Sequence, residues 1–200
     1  MRKKAKVLLI TPNLKGISDG VNRIQPSLGL MLIAPILEKH GHEVKIYDAA
    51  LDGWEKRKTI DEKNKIVMIG QDDENIAKVV SNFSPDVVAI SVLFSNLLES
   101  AHQIAKVIKK VDKKIKVILG GNHISSAVQD YKFFKIDKEL KKDNVIIDLE
   151  NDHFDYGMAG EGEFSLLKMV DAILNNDDNE IMKVPGLVKR LSRGQYHINP

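Results

Sequence analysis

Apolar residues along this chain follow two alternating rhythms. Lys6-Val7-Leu8-Leu9-Ile10-Thr11 is a continuous branched run closed by Pro12-Asn13, the pattern of a strand buried on both faces and ended by a turn. From Ser27 to His40, Leu28, Leu30, Met31, Ile33, Ala34 and Leu37 fall at helical spacing, with Gly41 as the stop and Pro35 as a candidate kink. Glu43 to Asp48 alternates as a strand does, and Asp73 to Phe83 reads as a short helix. Asp86 to Val92 and Lys116 to Leu119 are dense apolar runs, the second stopping at Gly120-Gly121. Between them Leu97, Leu98, Ala101, Ile104, Ala105 and Ile108 form one apolar stripe, which predicts a helix lying on a sheet. Phe154 to Ala159 opens a last unit, whose helix is expected from Glu163 to Leu174.

Five strand–helix units imply parallel strands joined by right-handed crossovers. The pattern therefore predicts an α/β protein with a doubly wound, five-stranded parallel sheet in the order 2-1-3-4-5. Pro185 to Arg190 followed by Arg193 to Ile198 predicts a C-terminal hairpin with Gly194 in its turn. Residues 1–184 form the main domain on this reading, and 185–200 a hairpin and linker. Two segments fall outside the plan. Charged Leu51 to Ile69 reads as a surface excursion, and Tyr131 to His153 reads as a lysine-rich stretch ahead of an extra edge strand at Val145-Ile146-Ile147.

Composition narrows the chemistry. Thirty Lys and Arg stand against 28 Asp and Glu, spread along the chain, which does not describe a nucleic-acid surface. With no cysteine there is no disulfide, no thiolate nucleophile and no ligand set for an iron–sulfur cluster. No apolar stretch reaches membrane-spanning length, so the expected location is the cytoplasm. The candidate chemistry lies where strands hand over to loops, the ligand-binding edge of such sheets. Gly120-Gly121 offers bare backbone to a bulky ligand, and Ser91-Val92-Leu93 offers a hydroxyl beside a shaped slot. Gly160-Glu161-Gly162-Glu163 is a glycine turn opening a helix.

Ser91-Val92-Leu93 and Gly120-Gly121, with residues 94–119 between them, resemble the serine-x-leucine and glycine-glycine pair of cobalamin-binding domains. Pro26-Ser27-Leu28-Gly29-Leu30, Gly41-His42-Glu43-Val44, Pro85 to Ser91, Gly120 to Ser125 and Gly160 to Glu163 together resemble the N-terminal cobalamin-binding domain of radical S-adenosylmethionine enzymes, over roughly residues 5 to 190. The resemblance implies a Rossmann-like, flavodoxin-type sheet with the nucleotide tail of cobalamin buried among its strand ends. It implies that Ser91 and Leu93 line the tail pocket and that Gly120 and Gly121 give the dimethylbenzimidazole and its phosphate close approach. His123, Gly160, Glu161 and Gly162 would border the same crevice, and Thr11, Pro12 and Asn13 would lie under the corrin ring. Cobalamin domains that ligate cobalt with an imidazole carry an aspartate-x-histidine-x-x-glycine motif in that first loop. Here no histidine precedes His40, so base-off cobalamin without a histidine ligand is expected.

The resemblance further implies methyltransferase chemistry carried out with a radical S-adenosylmethionine domain, in cis beyond Pro200 or in trans. That domain, not this chain, would hold S-adenosylmethionine and a [4Fe–4S] cluster, and this chain alone is not expected to be catalytic. Three alternatives stand beside this reading. Gly160-Glu161-Gly162-Glu163-Phe164-Ser165 could open a nucleotide- or flavin-binding helix. Asp152, His153 and Asp155 could serve a metal hydrolase, although the remaining histidines show no paired ligand spacing. Lastly, the module could be degenerate and mediate only protein contacts, using apolar residues such as Trp54 and Phe94.

Overall fold

The computed structural model describes residues 4–136 and 147–200. Its central sheet holds five parallel strands: β1 (Lys6–Thr11), β3 (Glu43–Asp48), β6 (Val87–Ser91), β7 (Lys116–Gly120) and β8 (Tyr156–Met158). Their order across the sheet is β3-β1-β6-β7-β8, which is the expected 2-1-3-4-5. The hairpin of β9 (Leu187–Ser192) and β10 (Gln195–Ile198) extends the sheet beyond β8 with antiparallel pairing, making seven strands.

Both faces of the sheet are covered, which is why its inner strands β1, β6 and β7 read as unbroken apolar runs. Leu8, Ile10, Val88, Ile90, Val117 and Leu119 point to one face, under α3 (Asp73–Phe83), α4 (Leu98–Val111) and α5 (Asn122–Ile136). Val7, Leu9, Val87, Ala89 and Ile118 point to the other, under α1 (Leu28–Lys39) and α6 (Glu163–Asn175). Asp72 starts α3 as an N-cap, its carboxylate accepting from Asn75 N–H at 2.9 Å. Pro35 sits inside α1 without ending it.

The charged segment from Leu51 to Ile69 is not a plain surface excursion. It carries the end of α2 (Ala49–Asp52), then β4 (Arg57–Asp61) and β5 (Ile66–Ile69). With β2 (Leu14–Ile17), these strands make a separate antiparallel sheet in the order β2-β5-β4. Its central strand buries Val67 and Ile69, while β4 is an edge strand whose Arg57, Lys58 and Thr59 stay exposed. Edge position explains the misleading charge, because such strands are commonly blunted with Lys and Arg. Likewise Tyr131 to Ile136 continues helix α5. Of the edge strand expected at Val145-Ile146-Ile147, Val145 and Ile146 lie outside the described residues, and Ile147 begins a 3-10 turn that ends at Leu149.

Asn13 joins the two sheets. Its amide donates to Gln71 O at 2.8 Å and accepts from Gln71 N–H at 3.0 Å, while its own N–H donates to the buried Ser100 Oγ at 2.9 Å. Replacing Asn13 with Ala removes the donor to Gln71 O and one of the two acceptors of Gln71 N–H, the other being Ala49 O at 3.0 Å. We expect a loss of about 2 kcal/mol in urea unfolding, with the amides of β5 becoming the first to gain hydrogen-exchange rate.

Candidate functional site

The chain leaving β1 crosses to one face with α1, and the chain leaving β6 crosses to the other with α4. At such a switch point the two connections diverge and leave a crevice at the carboxyl ends of the strands. The loops after β1, β6, β7 and β8 stand at this edge. Together with the strand ends before them and the first turn of α5, they carry every residue expected at the site.

The β6 and β7 loops are fixed to each other by main chain. Ser91 pairs in register with Gly120, Val92 N–H donates to Gly120 O at 2.9 Å, and His123 N–H donates to Val92 O at 3.0 Å. The two glycines have different surroundings. Gly121 has φ +95°, and a Cβ there would lie 2.6 Å from Val92 O, so the neighbouring strand end already fills that space. A Cβ on Gly120 would meet only Ile90 O at 3.9 Å, which leaves room for a ligand to approach. Ser125, one turn into α5, stitches on the third loop: its hydroxyl donates to Gly121 O at 3.2 Å and accepts from Gly160 N–H at 2.9 Å.

The other expected residues divide by environment. Gly160 and Glu161 are exposed, with nothing within 4 Å of a Cβ built on Gly160. Gly162 instead lets α6 pack on α1, because a Cβ would come 3.0 Å from Ile33 Cδ1. Leu93 is exposed and Ser91 half-buried at the rim. Thr11 Oγ1 is buried at the end of β1 and finds no hydrogen-bond partner among the described residues, and Pro12 beside it is buried. Asn13 has its amide committed to Gln71. An orphaned hydroxyl at the end of β1 and an open Gly120 at the end of β7, with β6 between them, are features that a large cofactor with polar and planar parts would use.

Beside the crevice the structure gathers residues that look scattered in sequence. Asp148, 5% exposed in the 3-10 turn before β8, accepts from His102 Nε2 at 3.0 Å and from His123 Nε2 at 2.9 Å. His123 Nδ1 meets Ser95 Oγ at 2.9 Å, and His102 Nδ1 meets His153 Nε2 at 2.7 Å. The rings of His102 and His153 also pack against Phe154, at centroid distances of 5.1 and 5.2 Å. No spacing along the chain signals this convergence, since α4, α5 and the loop before β8 contribute separately. Burial alone would raise the Asp148 carboxyl, but the hydrogen bonds and charges of His102 and His123 outweigh it and hold the group at about 2. Burial, then the neighbouring His102 and Lys106, lowers His153 to about 4.

Asp152, His153 and Asp155 do not converge. Asp152 pairs with Arg190 at 3.2 Å, while Asp155 accepts from Lys109 Nζ at 2.6 Å and Val117 N–H at 2.8 Å. Among the described residues no group of three His, Cys, Asp or Glu is arranged to hold a metal ion, and no helix is long and apolar enough to cross a membrane. A cleft of about 1080 Å³ opens beside the crevice, between the small sheet and α3 and α4. It is lined by Asn13, Gln71, Asp72 and His102, but by none of the residues at the ends of β6, β7 and β8.

Residues 15–139 match the profile of the B12 binding domain family, so the chain belongs to that family. It is 30% identical over its whole length to a cytidylyl-2-hydroxyethylphosphonate methyltransferase from Streptomyces wedmorensis, of which it covers 34%. It is 27% identical over 86% of its length to an uncharacterized methyltransferase from Pyrococcus horikoshii, of which it covers 30%. The chain thus spans about a third of the length of these relatives. Among solved structures, a cobalamin-binding protein from Desulfitobacterium hafniense aligns over 64% of this chain and 50% of its own, at 19% identity and a TM-score of 0.37. That likeness is too loose to carry an argument. Cobalamin binding is the property the family match supports.

Two outcomes follow from the site. Gly121→Val drives a side chain into Val92 and should cost about 3 kcal/mol in urea unfolding, whereas Gly120→Val should cost about 1 kcal/mol or less. Stability should also fall in acid in two stages. His153 has a lowered folded value, so its contribution is complete above about pH 6.5 and is lost toward about pH 4. Asp148 is likewise depressed, and its contribution of about 2 kcal/mol is lost as pH falls from about 4 through about 2. Urea midpoints taken from pH 7 to 2 check this, and Asp148→Asn should flatten the lower limb.

Proposed function

We propose that this chain is the cofactor module of a cobalamin-dependent radical S-adenosylmethionine methyltransferase, with residues 1–184 cradling the cofactor and 185–200 leading toward the catalytic part. The observation that carries the reading is the open main chain at Gly120 beside Ser91, together with the unpartnered Thr11 hydroxyl at the end of β1, along the carboxyl edge of a sheet in a chain that belongs to the B12 binding domain family. Ser91, Leu93 and Gly120 would hold the nucleotide tail, and Gly121 would keep the floor of that slot clear by letting Val92 pass beneath. Thr11 and Pro12 would face the corrin ring, Asn13 would hold their loop in place, and His123 with Gly160 to Gly162 would border the crevice.

When bound, cobalamin would supply a cobalt centre able to take up and pass on a methyl group, with the residues around the crevice holding and orienting it. The protein's histidines support base-off attachment without an imidazole ligand. His40 ends α1 and His42 precedes β3, both at the opposite edge of the sheet. At the carboxyl edge His123 has both nitrogens engaged, by Asp148 and Ser95. Exposed Leu28, Met31 and Leu32 on the first turns of α1, Phe164 on α6, and Leu93 with Phe94 give this edge an apolar surface for the corrin or for a catalytic domain seated over it. S-adenosylmethionine and a [4Fe–4S] cluster belong to that second domain on this reading. The two methyltransferase relatives, each about three times as long as this chain, are consistent with such a domain.

The test is retention of hydroxocobalamin through desalting. Wild-type protein should emerge coloured with a base-off spectrum, while Gly120→Val, still folded by circular dichroism, should lose at least tenfold in affinity because its side chain enters the tail slot. A colourless wild-type protein would refute the reading.

A further inference from the structure

The buried carboxylate of Asp148 dictates the direction of every hydrogen bond around it. Held at about 2, it is ionised and can only accept, so the Nε2 atoms of both His102 and His123 must carry protons. In the neutral imidazole the other nitrogen is then an acceptor. As a neutral imidazole His123 would receive the hydroxyl proton of Ser95 at Nδ1, 2.9 Å away, just as His102 Nδ1 lies 2.7 Å from His153 Nε2. Ser95 is exposed on the loop after β6, four residues beyond Ser91. In that arrangement its proton is turned inward and its oxygen presents only lone pairs to the crevice.

We propose that Asp148 is a positioning residue for corrinoid selection: acting through His123, it fixes Ser95 as an acceptor at the crevice mouth, where it receives a hydroxyl of the ribose in the cofactor's nucleotide arm. This rests on the cobalamin reading above and deepens it. An acceptor oxygen matches a sugar hydroxyl and disfavours the anionic phosphate, so it also orients the arm. No direct contact between Asp148 and the cofactor is required. Asn151 supports the arrangement by donating to Asp148 O and accepting from His153 and Phe154 N–H, which shapes the turn that carries the carboxylate.

The experiment compares affinity for cobalamin with affinity for cobinamide, which lacks the nucleotide arm. Wild-type protein should prefer cobalamin, and Ser95→Ala and Asp148→Ala should each lower that preference about tenfold, the worth of one hydrogen bond. Because both act through one bond, the double variant should lower it no further. Imidazole ¹⁵N shifts should show His123 as the pure Nε2–H tautomer in wild type and as a mixture in Asp148→Ala, which loss of packing alone would not produce. Ser95 is exposed, so its variant keeps the idea testable if Asp148→Ala fails to fold. Unchanged preference in Ser95→Ala, additive effects in the double variant, or an Nδ1–H tautomer in wild type would overturn this proposal while leaving cobalamin binding intact. Failure of wild type to retain either corrinoid would instead overturn the reading beneath it.

Discussion

Parallel pairing of β1 with both β3 and β6 is the constraint on which this molecule depends. It sends the carboxyl ends of the strands to one edge, and it demands helices on both faces, because the inner strands β1, β6 and β7 are apolar on both sides. The crossovers must then part company between β1 and β6, and a crevice opens there without any side chain having to create it. The site residues inherit their positions from this parting. Thr11 and Ser91 end neighbouring strands, and Gly120 ends the next.

Around that crevice, rigid main-chain bonds do the precise work. Val92 runs beneath Gly121 and accepts from His123 N–H, while Ser125 ties the β7 loop to Gly160. Three loops from three strands are therefore held as one rim. On the other side, the reciprocal amide bonds of Asn13 and Gln71 hang the small sheet from the end of β1. A residue expected beneath the cofactor thus proves to be the joint between two sheets. Such a preorganised rim is suited to binding a large, flat, preformed group, since little backbone must be ordered on binding.

The Asp148 cluster shows how tertiary structure builds electrostatics from unrelated segments. His102 comes from α4, His123 from the start of α5, and His153 from the loop before β8, and the carboxylate between them is desolvated yet charged. A buried ion survives only if its partners are in place. Asp148 is therefore a lock between α4 and α5 as well as a director of hydrogen bonds toward the crevice.

The strand order, the two-faced burial and the positions of Ser91, Gly120 and Gly160 at strand ends were legible in the sequence, because period-2 and period-3.6 patterns and glycine stops are local properties of the chain. The small sheet was not, since β4 is a charged, exposed edge strand and β2, the other partner of central β5, lies far away near the amino terminus. The difference between Gly120 and Gly121 was also invisible: both are glycines after one strand, and only the passage of Val92 beneath the second separates them. What the sequence by itself determined is the alternation that forces a parallel sheet and an edge rich in small residues. What only the tertiary structure decided is which of those residues face open space and which histidines meet Asp148, because long-range contact, unlike periodicity, leaves no local trace in the order of residues.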